Sequence, residues 1–492
     1  MRTVYKKNIF LPVIVFSVFT FLACERNLEP EIFDQIAPAN FFKTSEDVNS
    51  AIIGIYAEFG NQAGNNNSPI FMGEWGTDEY RNNSGSSESV NAFDWRENTN
   101  AEMYYSLVPA VTKAGAVIEV VKKLDFLKEN EKAQYLAELS TARAIFMFDL
   151  LRFYGPSAVI TDEQNLVNPD NNYKPARPAL DSPEGKKFTE DYQLFIETDL
   201  TKSIGNLPVN ASEYGRFDKG TALAVLLKFY MYQKNFAKAE TISKQIVDLK
   251  KYKLEADYAS IWTIANEKNK EIIWAIPRTS NTLGQTFRAR TLHSGYDVST
   301  ETKWNMDKIR FDFFDTFDKV NDKRSNLIVD KFTNKAGKTV DMRNESVNYY
   351  GAFCFKYSAD PAAKERSGID IVMMRYADVL LLRAEAINEL LGPTAEAIQL
   401  VNDIRTRAGI TKVPASATAS KEAFRDHLLQ ERGWEFYMEG LRRDDLIRHG
   451  KYISSAQARG LTLARDYHVI YPIPLGAYNE NSNIIQNPGY TF

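Results

Sequence analysis

Three glutamates at four-residue intervals form the most chemically suggestive pattern in the chain. Glu431, Glu435 and Glu439 fall at i, i+4 and i+8, which places them on one face of a continuous helix. Paired carboxyl groups hydrolyse glycosidic bonds, provided that one of them stays protonated. Arginines follow closely in the sequence, and a guanidinium lowers the pKa of a neighbouring carboxyl and pairs with it bidentately. We therefore favour a structural ion-pair cluster over a hydrolytic site; the arginines available nearby are Arg432, Arg442, Arg443 and Arg448.

Other catalytic chemistries find little support in the sequence. Neither G-x-G-x-x-G nor G-x-x-x-x-G-K-[ST] occurs, so no nucleotide-binding loop is indicated. The formal net charge of the 492 residues is −4, which disfavours a nucleic-acid-binding surface. The histidines are scattered and form no cluster with cysteine, so no zinc site is predicted; they are His293, His427, His449 and His468.

The amino-terminal segment is typical of a secretory signal. A basic start is followed by an almost wholly apolar stretch, 9–23, that ends in a small residue. This run is shorter than the roughly 20 residues of a spanning helix, and Pro12 interrupts it. We expect residues 1–23 to be a signal peptide that is removed.

Cys24 directly follows this segment and resembles the cysteine of the bacterial lipoprotein lipobox. The resemblance implies that Cys24 becomes the new amino terminus and carries lipid, although Phe21 stands where leucine is usual. An ordinary signal with an incidental cysteine is the alternative. With Cys24 lipidated, Cys354 has no disulfide partner, and we expect it to be an interior thiol.

Apolar residues recur at helical spacing over most of the chain, which predicts a mainly α-helical protein. Residues 60–92 and 156–190 are rich in turn-forming residues, 256–370 are weakly periodic with short strands, and the tail is predicted to be coil. The predicted helices cover 44–59, 101–124, 130–154, 188–208, two in 220–254 broken near Asn235, two in 375–410 broken at Gly392-Pro393, and most of 421–452.

Two of these helix pairs, 220–254 and 375–410, are similar in length and pattern. Each spans about 34 residues, with small residues where the helices must approach closely, which matches the period of tetratricopeptide (TPR) repeats. The segments 101–154 and 375–452 are candidates for further units. We predict a scaffold of stacked, TPR-like helix pairs.

Several motifs in order together resemble the SusD/RagB family of Bacteroidetes outer-membrane lipoproteins. "ARAIFMFDLLRFYGPSAVIT" (142–161), "MRYADVLLLRAEAINE" (374–389), "ERGWEFYMEGLRRDDLIRHGKY" (431–452) and "YPIPLGAYNENSNIIQNPGY" (471–490) carry it, beside the start after Cys24 and the 219–239 segment. Pro156 directly after glycine, Asp378 for glutamate and His449 for tryptophan depart from the family pattern. The resemblance implies one SusD-like domain over 24–492, with TPR-like pairs at about 101–154, 188–254 and 375–452 and loop-rich ligand-binding parts at about 60–100 and 256–370.

Glycans are bound by aromatic rings that stack on the sugar face, flanked by polar side chains on loops held by a rigid scaffold. Two stretches, 71–100 and 287–304, offer such rings among Asp, Asn and Arg residues, and the resemblance implies ligand contacts in the same two parts of the chain. For each ring, packing inside the protein is the alternative. The candidate ligand-binding residues are Trp75, Tyr80, Arg81, Trp95, Tyr296 and Trp304.

The resemblance implies a non-enzymatic, lipid-anchored protein of the outer membrane that binds an oligosaccharide and passes it to a SusC-like, TonB-dependent transporter. No catalytic residue, metal ligand or cofactor is expected, and whether calcium binds stays open. The alternatives are a RagB-like peptide-binding lipoprotein of the same transporter type, an α-rich glycoside hydrolase, and a TPR-like scaffold for other proteins.

Overall fold

The computed structural model describes residues 41–64, 68–167, 173–296, 302–344 and 351–492. Contacts within the chain divide it into two units, 1–47 and 48–492. In the first unit, Thr44 and Asp47 bond reciprocally: the Asp47 carboxylate accepts the Thr44 N–H at 2.8 Å, and the Thr44 hydroxyl accepts the Asp47 N–H at 3.2 Å. This is the arrangement that starts a helix, and the predicted start near residue 44 is confirmed. Cys24 and the signal segment lie outside the described residues.

Long helices make up most of the second unit, and many of them pack on one another in pairs. The mainly α-helical architecture predicted from the sequence is confirmed. The long helices are α1 (Ser45–Gly64), α4 (Ala101–Lys122), α5 (Glu129–Tyr154), α7 (Pro183–Asn206), α8 (Lys219–Tyr232), α9 (Phe236–Asp248), α12 (Tyr376–Leu391), α13 (Ala395–Ala408) and α14 (Lys421–Phe436). Short ones are α2 (Pro69–Met72), α3 (Gly85–Asn91), α6 (Glu163–Val167), α10 (Phe287–Thr291), α11 (Phe311–Phe314), α15 (Arg442–Arg448), α16 (Tyr452–Ala458) and α17 (Leu475–Glu480).

The predicted helix breaks occur where the sequence places them. Asn235 caps α9 by accepting the Lys238 N–H at 3.3 Å. Gly392 ends α12 with a φ of 83°, a conformation that favours glycine. Apolar residues at helical spacing then join α12, α13 and α14 in a common core that includes Leu381, Val401 and Leu428.

Eight short strands form four two-stranded antiparallel pairs in the described part of the chain. The pairs are β1 (Tyr80–Asn82) with β3 (Asp307–Ile309), β2 (Ile272–Ile276) with β8 (Ile371–Arg375), β4 (Ile328–Val329) with β7 (Phe353–Cys354), and β5 (Lys331–Thr333) with β6 (Thr339–Asp341).

Three local predictions are wrong. The segment 60–92 and the tail are not simply loops, because they contain α2, α3 and α17 and contribute buried residues such as Phe71 and Ile473. α7 starts at Pro183, five residues before the predicted start, with Ser182 accepting the Gly185 N–H as its cap. Glu439 does not share a helix face with Glu435, because α14 ends at Phe436.

Candidate functional site

The pairing of β1 with β3 brings the predicted ligand segment 71–100 beside the residues that closely follow the second predicted segment, 287–304. Tyr80 lies opposite Ile309 and Asn82 lies opposite Asp307. The Asn83 N–H also donates to the Met306 carbonyl at 2.7 Å. Residues more than 200 positions apart in the sequence are therefore held side by side.

A cavity of about 820 Å³, which we call the junction pocket, lies where these segments meet. This volume is within the range of small-molecule sites, about 300–1,000 Å³. Most of the residues that line it are polar, and most lie just before or at the start of α4. The lining residues are Trp75, Ser84, Ser89, Val90, Asp94, Arg96, Glu97, Asn98, Thr99, Asn100, Ala101, Glu102, Arg290 and Met306.

Asp307 organises the base of this pocket. Its buried carboxylate accepts hydrogen bonds from Tyr80, from Asn82 and from Arg290, whose Nη2 lies 3.2 Å from Oδ1. Burial alone would lower the pKa of Arg290, but the Asp307 carboxylate outweighs it and raises that pKa. Burial and the same carboxylate raise the pKa of the Tyr80 hydroxyl well above its usual value. The base is therefore a fixed network with its charges compensated.

The rim of the pocket carries accessible polar side chains. Arg96 and Asn98 are exposed, and Arg96 Nη2 lies 3.2 Å from the Asp94 carboxylate. The Thr99 hydroxyl accepts the Arg96 N–H at 2.8 Å and thereby fixes the turn. The rim thus offers guanidinium, carboxylate and amide groups, the types that hydrogen-bond to hydroxyl groups.

The prediction that Trp75, Tyr80 and Trp95 form exposed stacking platforms is wrong for this structure. All three rings are buried, and Trp75 Nε1 donates to the Tyr80 hydroxyl at 3.3 Å. Trp95 donates to the Val90 carbonyl at 3.0 Å and packs against Tyr471 with ring centroids 4.2 Å apart. Burial of these large apolar rings is favourable, which explains why they are covered by the protein. Of the three, only Trp75 contributes to the lining of the pocket.

Arg81, Tyr296 and Trp304 are each partly buried and lie outside the pocket lining. Arg81 is on β1, opposite Lys308. Tyr296 packs on a separate apolar cluster that includes Phe332. The Trp304 N–H donates to the Ala289 carbonyl at 2.6 Å, so this residue is tied to α10.

The pocket residues that the sequence analysis did not single out are mainly those of the run "RENTN" (96–100). All five residues of this run are polar, and they lie directly before α4. Asn100 has a φ of 59°, in the left-handed region that asparagine tolerates better than most residues. This uninterrupted polar run directly before a helix is the sequence signal that could have identified these pocket residues.

Glu431 and Glu435 belong to a buried ion-pair cluster, as predicted. Burial alone would raise the pKa of Glu435, but Arg407, Arg375 and Arg324 outweigh it and lower the pKa to about 2. Glu431 pairs with Arg324 at 2.8 Å. These arginines come from distant segments, not from the sequence neighbourhood that suggested the pairing.

The nearby arginines instead pair with other acids. Arg432 bonds to Asp445 at 2.7 Å, and Arg448 bonds to Glu385 at 2.6 Å. Glu439 joins the cluster from beyond the helix, bonding to Arg375 at 2.7 Å. Each of these carboxylates is therefore paired with an arginine side chain.

Two further buried carboxyl groups flank Trp75 in the sequence. Glu74 and Glu79 interact with each other electrostatically, and burial raises the pKa of both, that of Glu79 to about 7. The Met438 N–H donates to Glu79 at 3.3 Å, and the Gly440 N–H donates to Glu74. This pair attaches the segment below the junction pocket to the turn after α14.

Cys354 is buried and unpaired, as predicted, and burial raises the pKa of its thiol to about 12. Across the described ranges, no cluster of three or more His, Cys, Asp or Glu side chains is arranged to hold a metal ion. Within the same ranges, none of the helices is both long enough and apolar enough to cross a membrane.

A second cavity, of about 420 Å³, lies among α5, α8, α12 and α15. Its lining is largely apolar, and several of its charged groups already pair with one another, as Arg152 does with Asp149 at 2.7 Å and with Asp444 at 2.8 Å. It receives no residue from 71–100 or 287–304. We therefore take the junction pocket as the candidate ligand site.

Comparisons with known proteins agree with this architecture. The model of the SusD family matches residues 287–490. The chain is 24% identical to SusD-like protein P25 of Formosa agariphila over 97% of this chain and 98% of that one. It is 35% identical over 128 residues to the starch-binding protein SusD of Bacteroides thetaiotaomicron, which is 25% of this chain and 22% of that one.

A solved laminarin-binding SusD-like protein superimposes with a TM-score of 0.73 at 21% identity, covering 91% of this chain and all of that one. The two share a fold, and the predicted TPR-like helical scaffold is confirmed. Together with the end-to-end similarity to SusD-like protein P25, these matches support membership of the SusD/RagB family.

Proposed function

We propose that this protein is a non-enzymatic, lipid-anchored glycan-binding protein of the outer membrane. It captures an oligosaccharide at the junction pocket and delivers it to a SusC-like, TonB-dependent transporter. The observation that carries the proposal is the meeting of the two predicted ligand segments around a cavity of about 820 Å³. Similarity to proteins named for binding starch and laminarin supports the ligand class.

The chemistry of the pocket suits a sugar. A sugar presents many hydroxyl groups, each able to donate and accept, and the rim supplies donors on Arg96 and Asn98 and acceptors on Asp94 and Glu97. Arg290, at the base of the pocket, is held by the buried Asp307 carboxylate in the ligand-free structure. A preorganised polar site loses little conformational entropy on binding.

Binding without bond cleavage is the mechanism that we assign. A glycosidase acid must hold its proton near neutral pH, and Glu435, with its pKa lowered to about 2, is ionised there. Glu431 and Glu435 are also buried among arginines, away from the junction pocket. The less favoured hydrolase interpretation therefore loses the carboxyl pair that suggested it.

Anchoring and delivery rest on the amino-terminal sequence and on the family. Lipid on Cys24 would hold the protein at a membrane surface, since several acyl chains together bind stably. The helical scaffold then faces the transporter, and the protein presents its bound sugar like a lid. A RagB-like peptide ligand is the alternative that the same experiment addresses.

Calorimetric titration of the purified protein tests the proposal. The probes are laminarin, maltodextrins, other plant and fungal oligosaccharides, and a mixture of peptides. Replacing two rim residues together, Arg96→Ala with Asn98→Ala, is expected to weaken glycan binding at least tenfold without unfolding the protein, because both side chains are exposed. Lys187→Ala, an exposed cation on α7, is the matched control.

Glycan binding that is lost in the rim variant and kept in the control supports the proposal. Binding to peptides alone moves the assignment to the RagB-like alternative. Appearance of shorter sugars during the titration contradicts a non-enzymatic role. Failure of every probe to bind contradicts the proposed ligand class.

A further inference from the structure

A positively charged cleft lies beside the start of α8. Its volume is about 600 Å³, and we call it the cationic cleft. It is formed by the segment before α8, the turn after α9, the loop before β2 and β2 itself. Its lining includes two acids and five cations, and the cations are Arg216, Lys250, Lys251, Lys268 and Lys270.

Two lysine-bearing turns lie side by side in this cleft. Lys250 and Lys251 closely follow α9, and Lys268 and Lys270 closely precede β2. The Lys253 N–H donates to the Lys270 carbonyl at 3.0 Å, which joins the two turns. Lys250 has a φ of 53° and Lys268 a φ of 64°, in the left-handed region that favours glycine and asparagine. The backbone geometry of these turns therefore gives no reason for lysine at either position.

Two of the five cations are paired with acids. Arg216 Nε lies 2.9 Å from the Glu138 carboxylate, and Lys251 pairs with Asp218, the residue that caps α8. These pairs hold the wall of the cleft together, and within each pair the charges cancel. The charge that the cleft presents to a partner therefore comes from its other cations.

The other three cations are accessible to a partner. Lys250, Lys268 and Lys270 are exposed, and they form no ion pair within the described ranges. Glu213 on the lining and Glu267 beside Lys268 offset part of their charge. The lining remains positive, whereas the whole chain has 60 basic and 64 acidic residues. Lysine carries a compact ammonium group on a flexible stem, which reaches phosphate oxygens readily.

The cleft is attached to the amino-terminal half of α1. Arg216 Nη1 donates to Asn49 Oδ1 at 2.5 Å, and the Tyr56 hydroxyl accepts the Phe217 N–H at 2.8 Å. Before α1, the sequence runs back to Cys24, the proposed lipid attachment site. The cleft therefore lies beside the helix that connects the proposed anchor to the rest of the chain.

A positively charged face in this position suits a membrane surface. Anionic lipid headgroups present phosphates, and each lysine close to such a surface strengthens binding about fivefold. An anchor on Cys24 does not by itself set the orientation of the protein, because the stretch from Cys24 to Ser45 reaches up to about 70 Å when fully extended. The net charge of −4 disfavours contact of the rest of the protein with an anionic surface.

We propose that the cationic cleft docks on the phosphate-bearing headgroups of anionic lipids, so that this face of the protein is turned toward the membrane. The inference goes beyond glycan binding, because the cleft and the junction pocket share no lining residue. Its test therefore succeeds or fails independently of the sugar titrations. The contact is electrostatic and weakens as salt screens the charges.

Cosedimentation with lipid vesicles tests the proposal. The protein is the processed chain, 24–492, with Cys24→Ser so that no lipid is attached. Vesicles of phosphatidylcholine alone are compared, at low salt, with vesicles of equal parts phosphatidylcholine and phosphatidylglycerol. One variant combines Lys250→Ala, Lys268→Ala and Lys270→Ala, and a second replaces the same three lysines by arginine.

A charge-matched control removes three exposed lysines that do not line the cleft, with Lys174→Ala, Lys187→Ala and Lys338→Ala combined. Wild type is expected to bind the mixed vesicles more tightly than the neutral ones, and less tightly when salt is added. The alanine variant of the cleft is expected to lose at least tenfold in affinity for the mixed vesicles. The arginine variant and the control are expected to match wild type. Circular dichroism and thermal melting establish that each variant is folded.

Equal binding of the two vesicle types by wild type would overturn the proposal. Equal binding of the mixed vesicles by wild type and by the alanine variant of the cleft would overturn it as well. Sulfated oligosaccharides from carrageenan test the other source of anionic groups by calorimetric titration. If they bind wild type but not the alanine variant, and the vesicles do not bind, the cleft is a site for charged sugars and the membrane assignment fails.

Discussion

Arg290 and Asp307 form a buried ion pair beneath the junction pocket, with Nη2 3.2 Å from Oδ1 and both side chains almost completely inaccessible. The two residues are 17 positions apart and come from α10 and β3. Because the same carboxylate also accepts from Tyr80 and Asn82, it connects the two segments that build the pocket. The position of the pocket base depends on this one acid.

Asp307→Ala is expected to destabilise the protein by about 3–5 kcal/mol, because it leaves the Arg290 charge buried without its partner. Denaturant unfolding followed by circular dichroism measures the change. Asp94→Ala is the control; its pair with Arg96 is exposed, and little or no change is expected. A cost for Asp307→Ala as small as that of the control would contradict the compensated network.

Trp75→Ala and Trp95→Ala are each expected to lower the free energy of unfolding by about 3–5 kcal/mol, as large-to-small changes in a packed core do. Trp304→Ala, at a partly buried position, is expected to cost less. The same unfolding measurement ranks the three. If Trp75→Ala left stability unchanged and removed only ligand binding, its ring would be acting as an exposed platform after all.

The Glu74–Glu79 pair is expected to make stability fall as the pH rises. A carboxyl group whose pKa is raised in the folded state binds more protons there than in the unfolded chain, between its two pKa values. For Glu79 this window runs from 4.5 to about 7. Glu79→Gln removes the titration, so its free energy of unfolding is expected to decline less over this window, by up to about 1.4 kcal/mol per pH unit.

Unfolding curves at several pH values for wild type, Glu79→Gln and the exposed control Glu190→Gln measure this difference. Lys308 acts in the opposite sense: burial lowers its pKa to about 7, so its contribution to stability rises with pH above that value. Comparing each variant with wild type cancels this background. Parallel pH profiles for wild type and Glu79→Gln would show that the pair does not titrate as proposed.

Cys354 is expected to be inert in the native protein. Its thiol is buried and its pKa is raised to about 12, so almost no reactive thiolate is present at neutral pH. In a Cys24→Ser background, Ellman's reagent is expected to label no thiol until denaturant is added, and then one. Rapid labelling of the native protein would contradict the buried position.

The helices were predictable because their signals are local. Apolar spacing and caps such as Asn235, together with Gly392 at the end of α12, lie within a few residues of the element that they define. Burial of the candidate rings was not predictable in this way. Tyr80 is buried by its bond to Asp307, 227 residues away, and no local pattern encodes that contact.

The partners within the ion-pair cluster were also not predictable from local sequence. The arginine-rich sequence around Glu435 correctly predicts a lowered pKa for this residue, but its partners Arg375 and Arg407 come from other elements of the fold. The start of α17 beside Glu97 likewise depends on the path of the whole chain. Residue types indicated the chemistry, and long-range packing decided which residues perform it.

A crystal structure of the protein soaked with the tightest-binding oligosaccharide of the titration panel tests the central claim most directly. The account predicts sugar density in the junction pocket, in contact with Arg96 and Asn98. Ordered sugar bound elsewhere, for example in the cavity among α5, α8, α12 and α15, with the junction pocket empty, would contradict it.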